Sequence, residues 1–217
     1  MVDIIGSIKS AWDLAIHPSK AKPMSIGDAL KFYYSFALIP AILYAIILAI
    51  TGSMSSFGVL AGVLQGIFAF VLLLIAYPIG MFFGAGLYHT FGKVLFRKFQ
   101  NNYNATFTAV MISIIPAILF LWVGALISEI VSIAIGTGAA PLAVGVTGLY
   151  ILISIILGIW GLILLTIALM KLQKVSGVIA VLSWLLPEIV LFIFVFLLIF
   201  ALLGLSRALS PAVLTTI

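Results

Sequence analysis

Residues Val178–Leu205 read VIAVLSWLLPEIVLFIFVFLLIFALLGL, and this stretch decides the fold. It holds 28 residues and a single ionisable side chain, Glu188. A helix rises about 1.5 Å per residue, so a run of this length more than covers a hydrocarbon core about 30 Å thick. Backbone amides in lipid must be paired within the segment, which leaves a helix as the reading for a lone apolar run. Four further runs of the same kind precede it: Phe32–Ile50, Phe57–Phe91, Ala105–Ile127 and Leu142–Met170. The expected fold is an all-α, polytopic transmembrane bundle of five helices. The second and fourth runs exceed the required length, so those helices are expected to tilt, bend or extend past the headgroups.

Composition agrees. Of the 217 residues, 65 % are apolar and 7 % charged, against about 25 % charged in a soluble domain. A soluble globule and a disordered chain are both excluded. There is no cysteine, so thiol chemistry, thiolate metal sites and disulfides are excluded as well. The two histidines, His17 and His89, are far apart in sequence, and no metal or other cofactor is expected.

Ten Lys+Arg face five Asp+Glu, a formal net charge of +5. Lys9, Lys20, Lys22 and Lys31 precede the first run; Lys93, Arg97 and Lys98 follow the second; Lys171 and Lys174 follow the fourth. Only Arg207 falls on the other side. The positive-inside rule then predicts a cytoplasmic N-terminus and an exoplasmic C-terminus. The basic residues are read as contacts to anionic headgroups, with Lys93, Arg97, Lys98, Lys171 and Lys174 as candidates, and nucleic acid is not an expected partner.

The chain divides into a cytoplasmic arm (1–30), the membrane domain (31–205) and a short exoplasmic tail (206–217). In the arm, Ile5, Ile8, Trp12 and Ile16 recur at helical spacing, and His17-Pro18 ends the pattern. This predicts an amphipathic helix in the headgroup region with Trp12 as anchor, or else a helix packed across the cytoplasmic face of the bundle. Asn104 is the expected cap of the third span.

Ile39-Pro40-Ala41-Ile42-Leu43 returns as Ile115-Pro116-Ala117-Ile118-Leu119, with a relative at Leu186-Pro187-Glu188-Ile189-Val190. A repeated unit with a proline in each outward span is one reading; coincidence in a chain rich in Ile and Leu is the other. Pro187 and Glu188 form the candidate intramembrane site. A carboxyl deep in a span costs roughly 2.5–3.5 kcal/mol and is a functional candidate for that reason. The alternative is a neutral glutamic acid bonded to a neighbouring helix through Tyr77, Tyr150, Trp160 or Gln65. Gly58, Gly62 and Gly66, then Gly80 and Gly84, are spaced by four, which suits close helix packing within the bundle or a dimer face. Pro78 between them is expected to bend the second span. Zincin, phosphate-loop and Ser/His/Asp signatures are all missing, so the chain is not read as an enzyme.

Several local patterns resemble a known family. The arm carries His17-Pro18-Ser19-Lys20; the second span ends in Gly86-Leu87-Tyr88-His89 with Gly92-Lys93 after it; the fourth ends in Leu169-Met170-Lys171-Leu172 before Lys174-Val175-Ser176-Gly177 and a span with Leu186-Pro187. This is similar to the Ypt-interacting-protein (Yip) family of five-span membrane proteins. The resemblance implies five helices, a cytoplasmic N-terminus and, in eukaryotic members, a link to Rab-type GTPases and vesicle traffic. The Asp-Leu-Tyr-Gly-Pro signature is absent and the arm is short, as in the compact prokaryotic type, so a prokaryotic cell membrane is the expected location. The expected function is that of a non-enzymatic membrane-organising or adaptor protein, acting through helix packing and cytoplasmic-face contacts. Its expected partners are lipid, a second copy or another membrane protein. The alternatives are a small transporter or channel for an ion, proton or lipid using Glu188, and an accessory subunit of a larger membrane complex.

Overall fold

The computed structural model describes residues 4–53, 58–136 and 138–209. Among them there is no strand. Helix α1, Ile4–Ile16, is followed by a 3-10 turn at Pro18–Lys20. Five long helices follow: α2 Ile26–Ser53, α3 Gly58–Leu95, α4 Tyr103–Gly136, α5 Ala140–Gln173 and α6 Gly177–Leu209. All five are long and apolar enough to cross a membrane, as expected of a multi-pass membrane protein. Each runs beyond the apolar stretch that announced it. Residues 210–217 of the expected tail, Phe57 at the expected start of the second span and residues 1–3 of the arm lie outside the described residues.

Local chemistry sets the ends. Ser25 accepts the Asp28 backbone N–H at 3.1 Å and donates to the Asp28 carboxylate at 2.6 Å, a reciprocal cap that starts α2 within the expected arm. Lys174 closes α5 in the left-handed region, with φ 55°. Helix α4 starts after Asn102 in extended geometry, with no side-chain cap. Asn104, the expected cap, lies inside the helix, where its carbonyl accepts the Thr108 hydroxyl at 2.8 Å.

Prolines shape the interior of these helices. Around Pro116, α4 breaks at Ile114 and Phe120 into three pieces, Tyr103–Ser113, Ile115–Leu119 and Leu121–Gly136. Helix α3 bears wide π-helical turns at Leu72–Ala76 and Phe91–Leu95, the first just before Pro78. Pro40 and Pro187 sit within continuous helices. Three buried prolines, Pro40, Pro116 and Pro187, share one local device. A serine three to five residues upstream donates to the carbonyl three residues behind it: Ser35 to Phe32, Ser113 to Val110 and Ser183 to Ala180.

Alternate helices run antiparallel, so the start of α2, the end of α3, the start of α4, the end of α5 and the start of α6 share one end. Lys31, Lys93, Arg97, Lys98, Lys171 and Lys174 lie at or next to these termini, so it is called the basic end below. The packed core occupies that half. Its largest fully buried side chains include Tyr33, Phe36, Phe107, Met111, Leu164 and Leu169. In the far half the buried residues are small: Gly52, Gly62, Gly66, Ala125, Ala134 and Ala143. Beyond Pro187, α6 is exposed from Glu188 to Leu202.

Helix α1 lies against the bundle through a stripe the sequence did not single out. Ala11 and Ala15 are buried, whereas Ile5 and Ile16 are exposed. Trp12 is 39 % exposed and packs its ring on Phe120 and Trp160, at centroid distances of 6.2 and 5.8 Å. The Trp160 indole N–H donates to the Ala15 carbonyl at 3.2 Å. Small residues win the buried stripe because they let the helix axis approach closely enough for Trp160 to reach its backbone.

Candidate functional site

A row of small residues on α3, Ala69, Ala76, Gly80 and Gly84, has no side chains to fill the space between α2 and α4. The result is a groove of about 710 Å3, walled by Tyr44 and Leu48 of α2 and by Val110, Ile114 and Leu121 of α4. It follows α3 from Gln65 to Tyr88, about 35 Å of helix. Its polar groups are Gln65 and the hydroxyls of Tyr44, Tyr77 and Tyr88. A Cβ added at Gly80 or Gly84 would meet nothing within 4 Å.

The glycine series therefore divides. Gly62 and Gly66 face α2: a Cβ on Gly66 would stand 2.5 Å from the Ala45 carbonyl oxygen, and one on Gly52 would stand 2.7 Å from the Gly62 Cα. These are contacts within one bundle. Gly58, at φ +82°, has open space around it. Gly80 and Gly84 belong to the groove.

Glu188 meets α3 at the end of that groove. The Tyr88 hydroxyl donates to Glu188 Oε1 at 2.6 Å. Its partner is thus Tyr88 rather than Tyr77, Tyr150, Trp160 or Gln65. Tyr88 lines the groove, while the Glu188 side chain is exposed beside it. Pro187 is buried against the bundle, which turns its neighbour outward. Glu188 is the twelfth residue of the 33-residue α6, about 17 Å from the basic end of a helix about 50 Å long. One turn before it, the Trp184 indole N–H donates to the Thr166 hydroxyl at 3.1 Å and fixes the register of α6 on α5.

Two tyrosines complete the wall of α3. Pro78 has no N–H, so a carbonyl one turn earlier loses its donor. The Tyr33 hydroxyl donates to the Leu73 carbonyl at 2.7 Å and the Tyr34 hydroxyl to that of Leu74 at 3.0 Å. Adjacent tyrosines on α2 thereby supply what the π-helical turn lacks. Proximity of Tyr33-Tyr34 to Pro78 is a tertiary fact, and no spacing in the sequence announces it.

A buried polar cluster ties three helices at the basic end. Gln173 Nε2 donates to the Thr106 hydroxyl at 2.8 Å and to the Asn102 carbonyl at 3.1 Å, and Gln173 Oε1 accepts the Asn101 N–H at 3.0 Å. Asn101 Nδ2 donates to the Leu172 carbonyl. His89 Nδ1 shares a hydrogen bond of 3.0 Å with Thr106. Gln173 and Thr106 are fully buried. His89 and Thr106, polar residues in apolar runs, were the available signal for this cluster, and the Thr106 hydroxyl is the partner of His89.

Lys93, Arg97, Lys98, Lys171 and Lys174 are all exposed at the basic end. Near α1, Lys20 Nζ lies 3.0 Å from Asp13 Oδ1, and His17 Nδ1 lies 3.1 Å from the same oxygen. The Lys20 hydrogen bond, aided by His17, holds the Asp13 carboxyl below its usual range. No group of three or more His, Asp or Glu among the described residues could hold a metal ion. Comparison with protein-family models, with curated proteins and with solved structures finds no match.

Proposed function

We propose that this multi-pass membrane protein is a non-enzymatic organiser or adaptor that takes a membrane-embedded partner helix into the α2–α3–α4 groove. The observation that carries the reading is the bare Gly80 and Gly84 surface at the floor of a 710 Å3 trough. Glycines one turn apart let a second helix approach closely, and in lipid such packing is the main source of association. The chain's own helices leave this row uncovered, whereas Gly62 and Gly66 are used internally. A Cβ at either position meets nothing within 4 Å, so Gly80→Leu/Gly84→Leu directs its added bulk into the trough. The double variant is expected to keep its thermal unfolding midpoint in detergent and to lose a partner, or a second copy, that co-purifies with wild type under gentle extraction. A clean wild-type monomer, or a variant that retains the partner, counts against the reading.

The proposed orientation has a cytoplasmic N-terminus, supported by nine of ten Lys+Arg in segments flanking one end. Lys93, Arg97, Lys98, Lys171 and Lys174 are proposed as anionic-lipid contacts at that headgroup layer, whereas Trp12 of α1 packs on Phe120 and Trp160, more than a dozen residues into α4 and α5. Membership of the Yip family, in its compact prokaryotic form, is part of the proposal and rests on residues 17–20, 86–93 and 169–187.

One observation favours a second reading, transport of an ion, proton or lipid. Tyr88 lines the groove and holds Glu188 at its end, so an ionisable group stands where a groove-borne ligand would arrive. Flux in liposomes that falls with Glu188→Gln supports transport. Equal flux in wild type and variant removes Glu188 from any pathway.

A further inference from the structure

At the basic end, two segments about 150 residues apart in the chain enclose a second cavity, of about 560 Å3. Lys20 and Lys22 come from the turn before α2, and Lys171 and Lys174 from the end of α5. Asn101 and the buried Leu172 form part of its lining, and no acidic residue does. Among the described residues, Lys20 alone of the four has a carboxylate partner, Asp13. Like charges repel, so a fold that gathers them pays a cost unless an anion joins them.

The backbone adds an independent observation. Lys174 has φ 55°, in the left-handed region, where glycine is the usual helix terminator and a side chain is strained. The only other non-glycine residue of positive φ among the described residues is Arg97, also a cation and also at this end. Lys174 thus holds a backbone conformation that glycine would adopt without strain. Strain of this kind points to a role for the side chain.

We infer that the Lys20–Lys22–Lys171–Lys174 cavity is a binding site for a phosphate-bearing anion, either a phosphorylated lipid headgroup or a soluble phosphate compound. Four lysines lining one cavity suit a compact, multiply charged anion, to which lysine binds as a point charge. Lys20 is pre-positioned by Asp13, and Asn101 is fixed by its bonds to Gln173 and Leu172, so two of the lining side chains are already ordered. The cavity is separate from the groove, so failure of this inference leaves the adaptor reading standing, and the reverse.

The test uses the full chain in a zwitterionic detergent, titrated with short-chain phosphatidic acid in one arm and pyrophosphate in the other, read as the thermal midpoint. Wild type is expected to show a saturable rise with at least one of them. Saturation by the lipid alone assigns the site to a headgroup; saturation by pyrophosphate as well assigns it to soluble phosphate chemistry; both support the site. Lys22→Ala and Lys171→Ala are each expected to weaken binding about fivefold. Lys174→Gly carries the sharper expectation: a higher midpoint without ligand and weaker binding with it, a pairing that a purely structural lysine would not produce. Lys9→Ala, exposed on α1 and outside the cavity, should leave binding unchanged. No saturable response in either arm, or an equal loss in the Lys9 variant, overturns the inference.

Discussion

Pro78 removes one backbone donor from α3, and two tyrosine hydroxyls answer it. Tyr33 is fully buried and Tyr34 is partly exposed, so the two should differ in weight. Tyr33→Phe leaves the Leu73 carbonyl without its partner and should destabilise the protein by about 1 kcal/mol in detergent unfolding, with Tyr34→Phe costing less. In a Pro78→Ala background, where the backbone N–H returns, the Tyr33→Phe loss should shrink. An undiminished loss would show that Tyr33 acts through packing alone. Asp13 gives a pH expectation at the same scale. Its carboxyl titrates below the usual range because Lys20 bonds its charged form. The pair's contribution is whole above an ordinary Asp pKa of about 3.9 and is lost as pH falls through the lowered native value. Protection of the Ala21 amide, which bonds the Pro18 carbonyl across the turn, measured against the free-chain exchange rate at the same pH, should therefore persist at about pH 5 and fall only well below pH 4. In Asp13→Asn the Ala21 amide should lose that acid-linked step.

At the scale of elements, helices meet where side chains are smallest. A Cβ on Gly161 of α5 would stand 2.8 Å from the Ser113 carbonyl oxygen, next to the break in α4. Backbone on both sides leaves nothing flexible to yield. Gly161→Ala and Gly66→Ala should each cost about 1–3 kcal/mol by forcing a helix pair apart, read as a lower unfolding midpoint. Gly80→Ala should leave the midpoint nearly unchanged, because its Cβ meets open space. The sequence showed five spans, their order and the glycine spacing, since apolar length and a period of four are local properties. It could not separate Gly66 from Gly84. Both sit on one row of one helix, and only the position of α2 distinguishes a filled contact from an empty trough. Helix α1 was legible as a helix for the same local reason, while its buried stripe was not, because Ala11 and Ala15 carry little hydrophobic signal beside Ile5 and Ile16.

Across the whole molecule, large buried side chains and the Gln173 cluster lie at the basic end, and the far half is held by alanine and glycine contacts. Gln173→Ala should therefore act on α3, α4 and α5 together. It removes the bonds to the half-buried Asn101 amide, the Asn102 carbonyl and the buried Thr106 hydroxyl, at a cost of about 1–3 kcal/mol. Ala143→Ser in the far half, a small change at a buried helix contact, should shift the midpoint far less. Equal effects would contradict a core confined to one end. The apolar runs by themselves determined that the chain is helical, how many times it can cross a membrane and which segments carry the positive charge, because each of these depends on neighbours in sequence. Only the tertiary structure decided that Tyr88 holds Glu188, that Gly80 and Gly84 are left bare, and that lysines from opposite parts of the chain line one cavity. Those facts depend on how antiparallel helices of unequal length settle against one another, and in an apolar chain that outcome is set by a few small residues and hydrogen bonds whose partners lie dozens of residues away.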